Sequence, residues 1–379
     1  MTEKLGIGII GCGNISTAYF RLAPLFRGLE VRACTDINMA AAEARASEFG
    51  VRAQATEAML ANPEIDVVIN LTIPDAHYAV TTEALDAGKH VYSEKPFVLT
   101  VEEGEKLKAL ADAKNLRVGS APDTFLGGAH QLARKLVDDG AIGTVTAGTA
   151  YVMSHGMENW HPNPDFFFLP GAGPVLDVGP YYVADLINLI GPVKRVVALT
   201  NSATPTRTIL TPGPRQGETI PVETPTNVHA LLEFVSGAHV MLGASWDVAA
   251  NRHRNIELYG TEGALFVPDP NWFGGTVEVA HGRDGKIDEV TQWDHPFGVP
   301  NDHRPSGTYA NYRTAGLADM AAGIIDGRES RCSLERALHG IEVMTAILKS
   351  GETGAFVEMQ TSCTRPEPLD PAAARALLA

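Results

Sequence analysis

Short apolar runs and amphipathic stretches alternate along the first third of the chain. Runs rich in apolar residues at 5–10, 29–35, 66–72 and 91–93 predict buried strands. The stretches between them place apolar residues at helical spacing. Because short strands that alternate with helices form parallel, doubly wound sheets, we expect an α/β chain whose first domain, residues 1–122, has a Rossmann fold.

The pattern changes in the rest of the chain. From 193 to 279, short β-rich runs are separated by turn residues, which predicts a large open, mainly antiparallel sheet. The five prolines between 204 and 226 indicate a surface loop. We therefore expect a second domain of the α+β class at 123–367, followed by a tail at 368–379.

Helices are expected around this sheet at 129–139, 174–190, 309–326 and 334–350. The second of them carries Asp177, Tyr181 and Asp185 at intervals of four residues, which places two carboxylates and a phenol on one helix face. The remaining residues of this helix are mostly apolar. The polar stripe is therefore not an ordinary solvated helix face.

A glycine-rich turn follows the first predicted strand. Gly11 permits the tight turn, Gly13 lets the backbone approach a pyrophosphate, and Ser16 is small enough for the next helix to pack closely. The amino end of that helix then faces the phosphates. This strand–turn–helix setting predicts a dinucleotide-binding site.

Asp36 ends the second predicted strand and marks the cofactor as NAD. A carboxylate there accepts hydrogen bonds from both ribose hydroxyls of an adenosine. It also repels a 2′-phosphate, by roughly 3 kcal/mol per unit charge at ~5 Å and an effective dielectric constant of about 20. Residues 37–40 offer no Lys or Arg to hold such a phosphate, so NADP is the less favoured cofactor.

The fourth predicted strand runs into a corner formed by Glu94, Lys95 and Pro96. Pro96 has no N–H to donate to a sheet, so the strand ends there and Lys95 is held extended at its carboxyl end. Pro74, which follows the third strand, lies at the same edge. In open α/β sheets this edge is where ligands bind.

The loop after residue 153 carries Trp160 and His161. An aromatic face suits the C–H groups of a sugar, and a polar ring suits its hydroxyls, so we interpret this pair as candidate substrate-binding residues. His155, Glu158 and His161 are metal-ligand types, but they lack helical spacing, and no metal site is expected.

Six segments of the chain resemble the glucose–fructose oxidoreductase/inositol dehydrogenase family (Gfo/Idh/MocA), over residues 5 to about 358. They are Gly11 to Ile15, Asp36, Thr72 to His77, Gly88 to Pro96, Gly171 to Tyr181 and Leu258 to Gly263. The resemblance implies an NAD-dependent enzyme with a Rossmann domain, a second domain with an open sheet, and subunits that associate through the face of that sheet.

The resemblance also implies a set of site residues. The cofactor would be bound by Gly11, Gly13, Asn14, Ile15, Asp36, Ile37, Thr72, Pro74, His77, Glu94 and Lys95. The substrate would be bound by Asp123, Trp160, His161, Asp177 and Tyr181, with Lys95, Asp177 and Tyr181 catalytic.

Tyr181 departs from the usual pattern of the family, in which a histidine stands four residues after the aspartate. The resemblance implies a branch in which tyrosine takes that place, as in glucose–fructose oxidoreductase and dimeric dihydrodiol dehydrogenase. Either Lys95 or Tyr181 can then be the group that exchanges the proton, with Asp177 as the orienting carboxylate.

Composition narrows the choice of partners. The formal net charge is −15, which disfavours nucleic acids and anionic membranes because both require a basic surface. The four cysteines form no CxxC motif, and no signal peptide or transmembrane run is evident. We expect a cytoplasmic homo-oligomer, a dimer or a tetramer, with reduced thiols.

The expected activity is hydride transfer between NAD and a secondary hydroxyl or carbonyl group of a sugar, polyol or related cyclic alcohol. Two other enzymatic interpretations remain open: an NAD-dependent glycosidase that oxidises C3 transiently, and a dihydrodiol dehydrogenase-like activity. A sugar-sensing regulator on the same fold would not need Lys95, whose presence argues against it.

The first prediction concerns cofactor preference. NADH should bind more tightly than NADPH, because Asp36 repels the 2′-phosphate, and Asp36→Ala should narrow the difference. Fluorescence titrations with both reduced cofactors measure it. Equal affinity of the unaltered protein for NADH and NADPH would contradict the prediction.

Overall fold

The computed structural model describes residues 4–282, 284–291 and 293–379. The first sheet comprises β1 (Leu5–Ile10), β2 (Leu29–Thr35), β3 (Arg52–Ala53), β4 (Val67–Asn70), β5 (His90–Ser93) and β6 (Val118–Ser120). Its strands are parallel and lie in the order β3-β2-β1-β4-β5-β6. The helices that connect them are α1 (Ser16–Leu22), α2 (Met39–Phe49), α3 (Thr56–Ala61), α4 (Pro74–Asp86) and α5 (Val101–Lys114).

The strands of this sheet end together. Ile10 pairs with both Thr35 and Asn70, and Asn70 pairs with Ser93. All residues of β1 and β4 are buried, as expected when both faces of a parallel sheet are covered. The predicted Rossmann fold is confirmed, and its carboxyl edge brings the glycine turn and the Lys95 corner into one unit of the structure.

Beyond β6 the chain forms further strands, helices and short 3₁₀ turns. The strands are β7 (Val145–Met153), β8 (Val193–Asn201), β9 (Thr206–Thr208), β10 (Thr219–Pro221), β11 (Asn227–Phe234), β12 (His239–Ser245), β13 (Ile256–Gly260), β14 (Gly263–Val267), β15 (Glu278–His281), β16 (Ile287–Glu289), β17 (Asp302–Arg304), β18 (Gly307–Tyr309) and β19 (Val357–Glu358). The helices are α6 (Gly128–Asp138), α7 (Gly173–Asp177), α8 (Gly179–Ile190), α9 (Ala315–Asp326), α10 (Leu334–Thr353) and α11 (Pro371–Leu377). The short 3₁₀ turns in this part lie at Thr124–Leu126, Met157–Asn159, Asp165–Phe168 and Pro296–Gly298, and a further one, Ala23–Leu25, lies between α1 and β2.

The second large sheet has the order β16-β15-β14-β13-β7-β12-β11-β8-β19. Only the β12–β7 pairing among its described strands is parallel, and the others are antiparallel. Along β11, Val228, Ala230, Leu232 and Phe234 are buried and alternate with more exposed residues. The predicted open, mainly antiparallel sheet is confirmed.

The chain forms two compact units that do not follow the continuous division predicted from the sequence. One unit contains the chain up to Gly128 together with Asp294–Ile341 and Pro366–Ala379, and the other contains Ala129–Trp293 and Glu342–Arg365. The residues after 368, expected to be a tail, include a helix. They belong to the first unit because Leu369 and Leu377 are buried and the N–H of Arg27 donates to the carbonyl of Leu377 at 2.8 Å.

Two local predictions are also corrected. The helix expected at 174–190 is divided at Val178 into α7 and α8, because Pro180 has no N–H to continue the hydrogen-bond ladder. Asp177 therefore ends one helix, and Tyr181 lies in the first turn of the next. The predicted surface loop at 204–226 contains β9 and β10, which pair with each other.

Candidate active site

The glycine turn has the geometry that a dinucleotide requires. Gly11 has a φ of +100°, and a Cβ added there would lie 2.6 Å from the carbonyl oxygen of Leu71, so only glycine fits. A Cβ at Gly13 would meet no atom within 4 Å, which leaves open space above the turn. The hydroxyl of Ser16 donates to the Gly13 carbonyl at 2.6 Å and fixes the turn. Asn14 and Ile15 follow on the exposed side.

Asp36 is held in place by backbone donors. Its Oδ2 accepts from the N–H of Cys12 at 2.7 Å, and its Oδ1 accepts from the N–H of Asn38 at 2.9 Å. A carboxylate has about four lone-pair sites, so both oxygens retain capacity for ribose hydroxyls. The carboxylate is thereby fixed at the end of β2, where the two ribose hydroxyls of an adenosine would bind.

Apolar side chains stand exposed at the same edge. The side chain of Ile37 is fully exposed, and those of Ile15 and Ile73 are exposed as well. Exposed aliphatic side chains beside a glycine turn are suited to the faces of a planar base. This arrangement, with the open space at Gly13, fits NAD, whose nicotinamide would supply hydride chemistry at this edge.

Asn70 organises the loop after β4 and was missed from the sequence. It is fully buried; its Oδ1 accepts from the N–H and the hydroxyl of Thr72, and its Nδ2 donates to the carbonyl of His77 and the hydroxyl of Thr81. The sequence contained one signal for this role, which is a polar residue at the end of an otherwise apolar strand. Thr72 and Pro74, both predicted cofactor ligands, are placed by this amide.

His77, predicted to bind the cofactor, has partners for both ring nitrogens within the protein. It is buried, with Nδ1 2.7 Å from the carbonyl oxygen of Pro96 and Nε2 3.1 Å from that of Thr72. Burial lowers the pKa of His77 although the two carbonyls oppose the shift. His77 therefore contributes indirectly, because it ties the loop after β4 to the Lys95 corner.

The Lys95 corner is fixed through Glu94. One carboxylate oxygen of Glu94 accepts from the hydroxyl of Tyr19 at 2.9 Å, and the other accepts from the N–H of Lys95 at 2.9 Å. The N–H of Glu94 in turn donates to the carbonyl of Asn70. Lys95 itself is half-buried. The sequence did not indicate Tyr19, which lies 75 positions from Glu94.

Asp123, predicted to bind the substrate, is hydrogen-bonded to the backbone of a segment remote in sequence. It is buried, and its Oδ2 accepts from the N–H of Thr314 at 3.0 Å and of Gly316 at 2.9 Å, at the start of α9. Burial raises the pKa of Asp123 to about 6, against the effect of these donors. Thr314 has a φ of +99°, an unusual value for a β-branched residue, so the carboxylate holds a strained turn in place.

In the second unit, α7 and α8 present Asp177 and Tyr181. Both side chains are half-buried. The adjacent Tyr182 is buried, and its hydroxyl accepts from Asn255 at 2.8 Å. Tyr181 is therefore the tyrosine of this pair that remains accessible on its unit.

Asp185, the third member of the predicted stripe, does not share that environment. It is buried, and its Oδ2 lies 2.8 Å from Nδ1 of His130, whose Nε2 lies 2.7 Å from the carbonyl oxygen of Trp272. Asn188 donates to Asp185 at 3.3 Å, and Arg134 donates to the carbonyl of Asn188 at 2.9 Å. This network fixes α8 against α6.

The loop with Trp160 and His161 also belongs to the second unit. Trp160 is 60% exposed, and its ring centroid lies 5.3 Å from that of His161 at an angle of 86°. Glu158 is directed inward, where Arg207 donates to it at 3.3 Å. In the described parts of the chain, no group of three His, Cys, Asp or Glu side chains is arranged to hold a metal ion.

Comparison with known protein families matches segments of both units to one oxidoreductase family. Residues 5–121 match the oxidoreductase family with an NAD-binding Rossmann fold, GFO/IDH/MocA, and residues 130–266 match the GFO/IDH/MocA C-terminal domain. The architecture and the glycine turn define a nicotinamide-dependent oxidoreductase. The chain belongs to the GFO/IDH/MocA family.

The amino-acid sequence is similar to those of several oxidoreductases. Levoglucosan dehydrogenase of Pseudarthrobacter phenanthrenivorans is 26% identical over 69% of this chain and 73% of that protein. D-xylose 1-dehydrogenase (NADP(+)) 2 of Haloferax volcanii is 25% identical over 93% of this chain and 99% of that protein. An uncharacterized oxidoreductase of Schizosaccharomyces pombe, C26H5.09c, is 32% identical, but the match spans only 39% of that protein.

Solved structures show the same fold. The apo form of levoglucosan dehydrogenase superposes with a TM-score of 0.82 at 22% identity, over 96% of this chain and all of that one. Its complex with NADH and L-sorbose gives a TM-score of 0.81 at 21% identity, over 95% of this chain and all of that one. Among the described residues, no helix has the length and apolar character needed to cross a membrane.

The second prediction concerns the buried His130–Asp185 pair. Burial alone would lower the pKa of His130, but the carboxylate of Asp185 and the carbonyl of Trp272 outweigh it and raise that pKa above its usual 6.5. The charged pair therefore stabilises the folded protein below about pH 6.5, and this contribution is lost as the pH rises through the raised value.

Urea unfolding at a series of pH values measures this effect. The free energy of unfolding of the unaltered protein should fall from neutral to alkaline pH relative to that of the double variant His130→Gln/Asp185→Asn, which cannot titrate at this site. The single variant His130→Gln should lose about 3–5 kcal/mol because Asp185 stays buried without its partner. Parallel pH curves for the unaltered protein and the double variant would refute the charged pair.

Proposed function

We propose that this protein transfers a hydride between NAD and a secondary hydroxyl or carbonyl group of a sugar, a polyol or a related cyclic alcohol. The observation that carries the proposal is the half-buried Lys95 at the carboxyl edge of an NAD-binding sheet of the GFO/IDH/MocA family. Relatives whose names specify levoglucosan, D-xylose and inositol as substrates support this substrate class.

Oxidation of a carbinol requires a base for the hydroxyl proton while hydride passes to bound NAD. We infer that Lys95 is this acid/base, that Asp177 orients it, and that Tyr181 is its proton partner or a ligand of the reacting hydroxyl. A lysine accepts a proton only as the neutral amine, which desolvation favours and a nearby carboxylate disfavours. The tyrosine in place of the usual histidine would then share the proton with Lys95.

A library of sugars and polyols, screened by NADH fluorescence in both reaction directions, tests this function. At least one carbohydrate or cyclic alcohol should give NAD-dependent turnover that is saturable in substrate. Absence of turnover with every member of the library would overturn the proposed substrate class.

The third prediction is that Lys95→Ala keeps its affinity for NADH and loses turnover by ~10²–10⁴-fold, the usual effect of one positioned proton-transfer group. NADH titration and steady-state kinetics separate the two effects. Near-normal turnover of Lys95→Ala would exclude Lys95 as the acid/base.

Tyr181→Phe and Asp177→Asn are the companion variants. Tyr181→Phe removes only a hydroxyl, so stability should be unchanged while turnover falls and the alkaline limb of the pH–rate profile moves. Asp177→Asn should shift the pH optimum as well as the rate. Since groups that act on one proton do not contribute independently, the losses should not multiply in combination with Lys95→Ala. Full activity of Tyr181→Phe would remove Tyr181 from the mechanism.

The fourth prediction concerns assembly. The outer face of the second sheet carries exposed apolar side chains on neighbouring strands, with Leu231 and Met241 directly paired and Leu199 nearby. We infer that this face joins two copies of the chain, because adjacent exposed apolar side chains mark interaction sites. Sedimentation velocity should show a dimer or tetramer that Leu231→Glu/Met241→Glu dissociates and Val235→Glu, on the adjacent turn, leaves intact. A monomeric unaltered protein would contradict this inference.

A further inference from the structure

Three rings in the loop after β7 form an exposed surface, which we call the aromatic platform: Trp160, His161 and Phe166. Trp160 is 60% exposed and Phe166 is 53% exposed. The ring of His161 lies between them, with its centroid 5.3 Å from that of Trp160 and 5.5 Å from that of Phe166. Large aromatic side chains grouped in this way at a surface are typical of binding sites.

The platform rests on a packed base. The ring of Phe167 lies 4.0 Å from that of Phe166 and 5.4 Å from that of His161. Phe167 belongs to a buried apolar cluster with Met157, Phe168, Ile209, Ile220 and Trp246. The exposed rings are thus the outer layer of a core and not parts of a loose loop.

Ion pairs fix the backbone on both sides of the platform. Arg215 donates to both carboxylate oxygens of Asp165, at 2.6 and 3.0 Å, and lowers the pKa of that carboxyl. On the other side, Arg207 bridges the inward-facing Glu158 and Asp247. Bidentate and buried ion pairs hold the backbone in one geometry, and they therefore hold Trp160 and Phe166 at the surface.

The platform also offers a hydrogen-bond donor. Nδ1 of His161 accepts from the N–H of Asn163 at 3.1 Å, so the neutral ring carries its proton on Nε2. That nitrogen makes no hydrogen bond to any part of the chain that the structure describes. Two aromatic faces with an N–H donor between them match a pyranose ring, which combines apolar C–H faces with hydroxyl acceptors.

Phe166, one member of the platform, lies in a turn that contacts the helix carrying Asp177. The 3₁₀ turn Asp165–Phe168 packs against α7, the helix that ends at Asp177, and only residues 169–172 connect the two. A sugar ring at Asp177 and a ring on the platform can therefore belong to one molecule.

We propose that the aromatic platform is a subsite for a second sugar ring, so that the enzyme acts on a glycoside or disaccharide whose reacting ring is bound at Asp177 and Tyr181. This inference rests on the proposed function. In this proposal Trp160 and Phe166 determine substrate specificity. Hydride transfer itself depends on Lys95, Asp177 and Tyr181. A monosaccharide would gain less from the platform than a two-ring substrate.

Kinetics with matched substrates test the subsite. The values of kcat/KM for glucose and methyl glucosides are compared with those for maltose and cellobiose, and the same comparison is made for any other sugar that the library identifies. The two-ring substrate should be preferred, and Trp160→Ala and Phe166→Ala should each lower its kcat/KM by roughly tenfold, the effect of losing one well-placed apolar contact. The kcat/KM of the one-ring substrate should fall by less, so that the preference for two rings narrows.

Two control variants belong to this experiment. Trp160→Phe keeps an aromatic face and should retain most of the preference. Phe356→Ala removes an aromatic ring of similar exposure, 56%, that stacks on Arg195 elsewhere in the second unit, and it should leave the preference intact.

Tryptophan fluorescence gives a readout that does not depend on turnover. Trp160 is largely exposed while Trp246 is buried, so maltose or cellobiose should shift the emission of the unaltered protein and leave that of Trp160→Phe unchanged. If no sugar is turned over, the proposed function fails, and the fluorescence shift still decides the subsite.

Three results would overturn the subsite. Trp160→Ala could lower kcat/KM equally for one-ring and two-ring substrates, which would place the reacting ring on the platform. It could leave both values unchanged in the absence of a fluorescence shift. It could instead dissociate an oligomer in sedimentation, which would make the platform an interface between copies of the chain.

Discussion

The buried amide of Asn70 is the constraint on which the cofactor edge depends. Its side chain satisfies Thr72 and His77 in the following loop, and its backbone carbonyl accepts from Glu94 in the neighbouring strand's corner. His77 then links that loop to Pro96. A buried amide that lacks one of its hydrogen bonds costs about 1–3 kcal/mol of folding free energy. The hydrogen bonds of Asn70 therefore hold together the two loops that flank the proposed hydride-transfer edge.

In the second unit, a buried pair of ionisable residues supports the helix that carries Tyr181. Pro180 interrupts the backbone ladder between α7 and α8, so the helix that begins with Tyr181 in its first turn needs another support. Asp185 supplies it one turn later, through its buried contact with His130. Asp177 and Tyr181 thus lie on opposite sides of a break between two helices.

The sequence determined the fold class and most of the cofactor edge. The Rossmann sheet, the glycine turn, Asp36 and the Lys95 corner follow from local signals: an apolar run, a residue with special backbone freedom, and a carboxylate at a strand end. These features depend on neighbours within a few residues or on the shared edge of parallel strands, so pattern and spacing predict them. The open sheet of the second unit was predicted for the same reason, from alternating short runs.

Only the tertiary structure decided which polar side chains form hydrogen bonds or ion pairs with other residues of the protein. Asp123 caps α9, whose first residue is 192 positions further along the chain, and Asp185 contacts His130, so each carboxylate has partners within the protein. The residues after 368 similarly became part of the first unit through the burial of Leu369 and Leu377. Such partners are remote in sequence, and a hydrogen bond or a buried contact between remote residues leaves no periodicity or spacing in either segment from which it could be predicted.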